Sequence, residues 1–351
     1  MSAPAAASRA RVQGQTSVAL EYQRHIHRAS VLVRTDPTLS LLGSLVDVSW
    51  PLIPGVYTAL WEDGFVATIP ATPQPARAVF SASWLQSWQA CASVQCACCA
   101  AVLVDFPTHA NLRALPSESW EELVDAWMCH GDQKLNTSVT RGRESVGSAR
   151  IPAASDVWVG SFLVKTSSAH LRPGAVHVSP AKQSTCWENA SHMLSCCACG
   201  VTLGAALAIP GPEPVVLQWF PFRVLPGGGQ RPQEWLCQVL CQYLLEQKER
   251  QAVHHFLLAD IHHDDMRPRL LLWLFQPLLA LQIPGEPLRS VSKILFREAP
   301  AAPPGPHSIL LLPEDACNEI TQALQASAQV YPDSRRALGE WQVGWLSRSI
   351  D

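Results

Sequence analysis

Two stretches of the chain, Gln95-Cys96-Ala97-Cys98-Cys99-Ala100-Ala101-Val102-Leu103 and Ser195-Cys196-Cys197-Ala198-Cys199-Gly200-Val201-Thr202-Leu203, repeat one pattern, Cys-x-x-Cys with a leucine four residues on. A two-residue gap lets the amides of a tight turn face two thiolates on one side, which is half of a tetrahedral metal site. Together Cys96, Cys99, Cys196 and Cys199 form a candidate four-thiolate set for a structural zinc ion. Closing the long loop between the pairs costs about 4 kcal/mol. A structural zinc site returns about 10–16 kcal/mol of apparent free energy, so the metal outweighs the loop. The competing reading is a set of small buried core thiols, with Cys91, Cys98, Cys186 and Cys197 as alternative sulfurs close by.

The composition sets the frame around this pattern. At 351 residues the chain is long enough for two domains, or one large domain with additions, and for a real core. Charged residues make up 16%, hydrophobic ones 48%, and the net charge is -3. That balance provides no electrostatic footprint for direct nucleic-acid binding and none for an anionic membrane surface. Twelve cysteines without an apolar signal core near Met1 fit a reducing compartment, cytoplasm or nucleus, with zinc-bound and free thiols. The sequons at Asn136 and Asn189 then read as incidental. The strongest apolar run, residues 270–281, is interrupted by Pro277 and too short to span a bilayer.

Taken in order, residues 1–15 read as a tail, and residues 16–90 as an antiparallel β region. Its β-like runs are 30–33, 45–50, 56–61 and 64–69, with Asp63-Gly64 as a hairpin turn. The segment from Leu115 to His130 then announces a helix. Ser119 and Glu122 make a capping box, and acidic residues crowd the first turn, where the helix dipole favours them. Trp120, Val124 and Trp127 share one stripe, which is either core or a partner-binding face, since tryptophans make good interface anchors. Gly131 stops the helix and leaves Cys129-His130 at its end. One of these two could ligate the chain's own zinc, Cys129 could reach a metal in a partner, or both could be structural.

Residues 136–155 read as a polar loop, 157–165 and 215–222 as strands, and 226–229 as a flexible Gly-rich lobe boundary. A helix begins at Pro232 with Trp235, Leu236, Val239, Leu240, Tyr243 and Leu244 on one face. Strands at 252–261 and 270–275 flank His262-His263-Asp264-Asp265, a cluster that reads as a solvated turn rather than a metal site. Residues 299–306 form a proline-rich linker. A strand at 308–312, a helix near 315–327 and a last strand with Trp341, Val343 and Trp345 on one face complete the chain.

The run Leu115-Pro116-Ser117-Glu118-Ser119-Trp120 leading to Asp125-Ala126-Trp127-Met128-Cys129-His130 closely resembles the signature of the HECT-like ubiquitin ligases known as ubiquitin-conjugating-enzyme-binding proteins. The flanking knuckles and the terminal Ser334-Arg335-Arg336 with Trp341-Gln342-Val343 are also similar, and the resemblance covers roughly 96–346. It implies a protein that accepts ubiquitin from a conjugating enzyme, the E2, and passes it to a protein lysine. In HECT-type chemistry a ligase cysteine takes ubiquitin as a thioester and surrenders it to an amine. Leu312-Pro313-Glu314-Asp315-Ala316-Cys317 best matches the HECT catalytic pattern, with a spacer one residue shorter and Ala316 in place of threonine. The resemblance thus makes Cys317 the candidate nucleophile, at the start of a helix whose dipole lowers a thiol pKa but beside the opposing Glu314, Asp315 and Glu319.

The same signature implies a second partner, the zinc-dependent endonuclease that cleaves pre-mRNA 3′ ends. There Trp120 and Trp127 would anchor, and Cys129 and His130 would approach the nuclease metal, blocking or chaperoning without catalysis. The expectation overall is an α+β protein. Its parts are a β-rich N-terminal part, a zinc-stapled central part over 91–210 with the signature helix, and a mixed α/β HECT-like part over 211–351.

Overall fold

The computed structural model describes residues 9–10, 17–23, 28–34, 46–47, 59–61, 64–70, 88–89, 91–114, 152–160, 162–181, 190–207, 215–232, 234–262, 267–283, 289–301, 305–331 and 333–348. The signature helix with Trp120, Trp127, Cys129 and His130 lies outside these residues, as do Cys186, Asn136 and Asn189 of the two sequons and the 263–265 part of the His/Asp cluster. The chain divides into two compact units. One comprises residues 81–235 and 262–264, the other residues 1–80, 236–261 and 265–351. The chain passes from one to the other at Trp235, beyond the 226–229 turn.

The unit containing the cysteine pairs holds two sheets. A seven-stranded sheet runs Val176–Pro180, Ala190–Cys196, Thr202–Leu207, Val216–Trp219, Val164–Ser167, Asp156–Val159, Asn111–Ala114. Its neighbours are antiparallel except the last two, which are parallel. A three-stranded antiparallel sheet runs Val224–Pro226, Ser93–Cys96, Val102–Asp105. The alternation at 157–165, which reads as one strand, is instead a hairpin, closed by Gly160 N–H donating to the Leu163 carbonyl at 2.8 Å. The 215–222 run likewise ends early, because Pro221 has no N–H to give a ladder and opens a short 3-10 helix, Pro221–Arg223. Phe162, Phe220 and Phe222 pack with ring centroids 5.0–6.2 Å apart. Gly204 permits the closest approach in the sheet, since a Cβ there would lie 1.9 Å from the Gln218 carbonyl oxygen.

The 226–229 stretch is an anchored turn rather than a loose linker. Gly227 N–H donates to the Ser93 carbonyl at 2.7 Å, Gly229 N–H to that of Pro226 at 2.8 Å, and Gly228 takes φ +80°.

In the other unit, a ten-stranded sheet is organised by one long strand, Pro268–Gln282. The apolar alternation suggests an end at Phe275. The chain runs on because Pro277 falls in a bulge, where register slips between Gln276 and Leu279 and no ladder donor is needed. One side of this strand pairs with Arg289–Glu298. The other side is shared by His255–Asp260 and by the N-terminal strand Ser17–Gln23, which meets Leu279–Gln282. Strands Arg28–Arg34, Gly64–Pro70 and Ala59–Trp61 continue the sheet outward, so the N-terminal β region belongs to the same sheet as the C-terminal strands.

Helix α1, Trp235–Gln251, buries Leu236, Val239, Leu240 and Leu244 as the periodicity predicts. Helix α2, Glu314–Ala328, buries Ile320 and Leu324 and packs on Trp341–Ser347. Gly344 lets that strand close up, and Ser327 Oγ accepts from Trp345 N–H at 2.9 Å. Trp345 and Val343 are buried in one cluster, with Trp341 packed against it on the same face.

Candidate metal centre

Each Cys-x-x-Cys pair sits at the tip of a hairpin, and the two hairpins come from different sheets of one unit. The tips are built alike. Cys96 N–H donates to the Ala101 carbonyl and its own carbonyl accepts from Ala100 N–H, both at 2.9 Å. Cys196 N–H donates to the Val201 carbonyl at 2.9 Å and its carbonyl accepts from Gly200 N–H at 2.8 Å. The residue after each second cysteine is left-handed, Ala100 at φ 60° and Gly200 at φ 75°. Both tips are also tied from the side, by Ala97 N–H to the Arg223 carbonyl and Cys197 N–H to the Ala175 carbonyl.

The four sulfurs of Cys96, Cys99, Cys196 and Cys199 all lie within 4.8 Å of one another. The pairing is crossed. Cys96 Sγ lies 3.7 Å from Cys199 Sγ, and Cys99 Sγ lies 3.6 Å from Cys196 Sγ. An ion about 2.3 Å from each of four tetrahedral sulfurs sets sulfur–sulfur separations near 3.8 Å. The donor set therefore fits a tetrahedral ion and is far too open for disulfides, whose sulfurs sit about 2.05 Å apart. The first cysteine of each pair is buried, Cys96 and Cys196 at 1% exposure, while Cys99 and Cys199 face solvent. Burial pushes the Cys96 thiol up, and the backbone amides of Cys99 and Cys98 work against it by donating to the sulfur. These four cysteines can hold a metal ion.

Of the alternative sulfurs, Cys91 is buried and raised to about 11 by that burial. Cys98 is exposed, and its thiol is raised first by a hydrogen bond with the Cys199 sulfur. The sequence offers no sign of that fifth contact. It does carry a sign of the turn, a small residue after each pair.

Cys317 occupies the first turn of α2 after Pro313, but it is 1% exposed. Burial pushes its thiol up to about 12, the Asp260 carboxylate adds to the shift, and Arg269 opposes it. Tertiary burial overrides the helix dipole that the local sequence suggests. Residues 216–225 are buried as well. A half-buried aromatic group lies instead around Trp273, which stacks on His255 at 5.2 Å and meets Phe275 and Trp341 edge-on at 5.4 and 5.9 Å. Phe275 is 41% exposed. No helix among the described residues is long and apolar enough to cross a membrane.

Fold and site define, among the described residues, a sheet-rich α+β protein with two long α-helices and a cysteine cluster able to hold a metal. Residues 67–343 match the family described as HECT-like ubiquitin-conjugating enzyme (E2)-binding, and the chain belongs to that family. Neither a curated protein nor a solved structure matches the chain.

Proposed function

We propose that the protein docks a ubiquitin-conjugating enzyme and promotes transfer of ubiquitin from it to substrate lysines, with the E2 thioester itself as donor. The observation that carries this reading is the burial of Cys317, since a thioester-forming cysteine has to be accessible and readily ionised. The row of His255, Trp273, Phe275 and Trp341, half-buried except for the exposed Phe275, is the docking face on this reading, because desolvated aromatics supply most interface energy. Zinc is the ion we assign to the four thiolates. The soft ligands, tetrahedral spacing and closed set suit it, and its role is to staple two hairpins.

The test is discharge of a ubiquitin-loaded E2 onto substrate. Cys317→Ala should leave discharge unchanged and Phe275→Ala should slow it about tenfold. A ubiquitin adduct on the protein that reductant removes and Cys317→Ala abolishes would restore the HECT-type relay through Cys317. Metal analysis should find one zinc per chain.

A second reading concerns the Trp120–His130 segment. Its two tryptophans and terminal Cys129-His130 have the chemistry to anchor on, and ligate, the metal of the pre-mRNA 3′-end-processing endonuclease. Cys129→Ala should weaken capture of that nuclease while zinc content and melting stay unchanged. Loss of bound zinc would instead make Cys129 an internal ligand.

A further inference from the structure

The bulge at Pro277 leaves a cavity beside α1. The register slip between Gln276 and Leu279 takes Leu278 out of the pairing with Arg289–Glu298. Ser292 Oγ donates to the Pro277 carbonyl at 2.8 Å and accepts from Cys241 Sγ of α1 at 3.2 Å, so the helix is tied to the bulge. From Gln242 onward the helix lines a cavity of about 320 Å³, whose other lining residues are Leu278 and Arg348. All of them belong to one compact unit. That volume is at the small end of ligand pockets and suits a residue or two. Leu245, at 7% exposure, and Leu278 give it an apolar surface. Arg348, at 6% exposure, puts a permanent positive charge in the wall, with its backbone N–H fixed on the Ser290 carbonyl at 2.8 Å. Glu246 and Arg250 pair with each other, so their charges cancel, and Glu249 is exposed to water. Gln242 Oε1 is shielded from solvent and has no hydrogen-bond partner among the described residues, a cost that a donor entering the cavity would remove.

We propose that this cavity binds the C-terminal residue of a partner polypeptide that ends in an apolar side chain. The terminal carboxylate goes to the Arg348 guanidinium, the N–H of the last residue donates to Gln242 Oε1, and the side chain lies on Leu245 and Leu278. A simple anion would meet Arg348 and leave Gln242 Oε1 without a donor. A cationic side chain would satisfy Gln242 and be repelled by Arg348. A chain end carries the anion, the donor and the apolar group within one residue. A free amino acid carries them too, but its ammonium would set a second full charge near the buried Arg348, whereas a peptide N–H is neutral, as the Gln242 carboxamide is. The proposal depends neither on the four-thiolate centre nor on the aromatic row.

The test titrates the full chain into a fluorescein-labelled Gly-Gly-Gly-Leu peptide with a free C-terminal carboxylate and follows anisotropy. The same peptide ending in a carboxamide should bind about tenfold more weakly or worse, because it loses the charge-assisted contact. Arg348→Met should weaken the carboxylate peptide by about tenfold or more and Gln242→Leu by about fivefold. Phe275→Ala, outside the cavity, should bind as wild type. Arg348 is buried, so melting curves accompany each variant, and if Arg348→Met does not fold, Gln242→Leu and the carboxamide peptide decide the matter. No binding of the carboxylate peptide, equal binding of the carboxamide, or wild-type affinity in folded Arg348→Met or in Gln242→Leu would overturn the site. Free leucine that displaces the probe as well as unlabelled acetyl-Gly-Gly-Gly-Leu does would overturn its assignment to a chain end.

Discussion

Lys293 Nζ lies 2.6 Å from both carboxylate oxygens of Glu21, a residue 272 positions away in the chain. Glu21 is buried at 4% exposure and Lys293 half-buried at 14%, and the ammonium lies over the Tyr331 ring at 5.1 Å. Burial first, and the Glu21 charge second, hold the Tyr331 hydroxyl well above its usual range. The pair fastens strand Ser17–Gln23 to strand Arg289–Glu298, so the N-terminal segment is part of the C-terminal sheet's stability. Breaking such a pair strands a buried charge, which costs about 3–5 kcal/mol, whereas replacing both partners by apolar groups is often neutral. Lys293→Met alone should therefore lower the denaturant midpoint sharply, and adding Glu21→Leu should recover most of the loss. A double variant no better than the single one would show that the carboxylate is not held by Lys293.

The matched knuckles predict how each tolerates its left-handed residue. Ala100 and Gly200 hold equivalent positions at φ 60° and 75°, and nothing lies within 4 Å of a Cβ built on Gly200. Only backbone strain distinguishes them, about 1–2 kcal/mol for a residue with a Cβ. Gly200→Ala should thus lower stability by about 1 kcal/mol with metal content unchanged, and Ala100→Gly should raise it by a similar amount. Thermal melts with parallel metal analysis check both.

His255 predicts a direction with pH. Burial against Trp273 lowers its pKa below the ordinary 6.5, and His254 and His307 lower it further. A depressed value means that the folded protein prefers the neutral ring. Stability tied to this group is therefore present above the unfolded value near 6.5 and is lost as pH falls toward and through the folded value. His255→Phe, which keeps the ring stack, should flatten the fall in melting temperature between pH 7 and 5. An unchanged slope would assign that fall to other groups.

What was legible in the sequence was local. The knuckles follow from two-residue gaps and a leucine four residues after each pair, and α2 and the Trp341–Trp345 face follow from periodicity. What was not legible depended on distant partners. Strand Pro268–Gln282 runs through Pro277 because it bulges there against Arg289–Glu298, and Ser17–Gln23 finds its place on Leu279–Gln282, neither of which leaves a mark nearby. Cys317 is the clearest case. Its helix-start position suggests an activated thiol, while burial, and then Asp260 brought in from a strand, push it the other way.

With zinc on the four thiolates as proposed, metal removal should separate the sulfurs by role, and alkylation should read that separation. With the ion bound, Cys98 and Cys197 are exposed thiols outside the ligand set, so iodoacetamide should modify them first. Cys237, Cys241 and Cys317 are buried at 5% exposure or less, and burial holds Cys241 near 11 and Cys317 near 12, so neither access nor ionisation favours reaction at pH 8. A chelator frees four thiolates and removes a site worth about 10–16 kcal/mol of folding free energy, which the unit of residues 81–235 has few means to replace. After chelation Cys99 and Cys199 should label next, followed by Cys96 and Cys196 as the hairpin tips separate. Cys241 and Cys317 belong to the other unit, whose sheet and helices owe nothing to the ion, and they should stay unlabelled until denaturant is added. Labelling of Cys317 together with the four ligands would mean that the two units unfold as one, and that the metal holds more of the chain than its own hairpins.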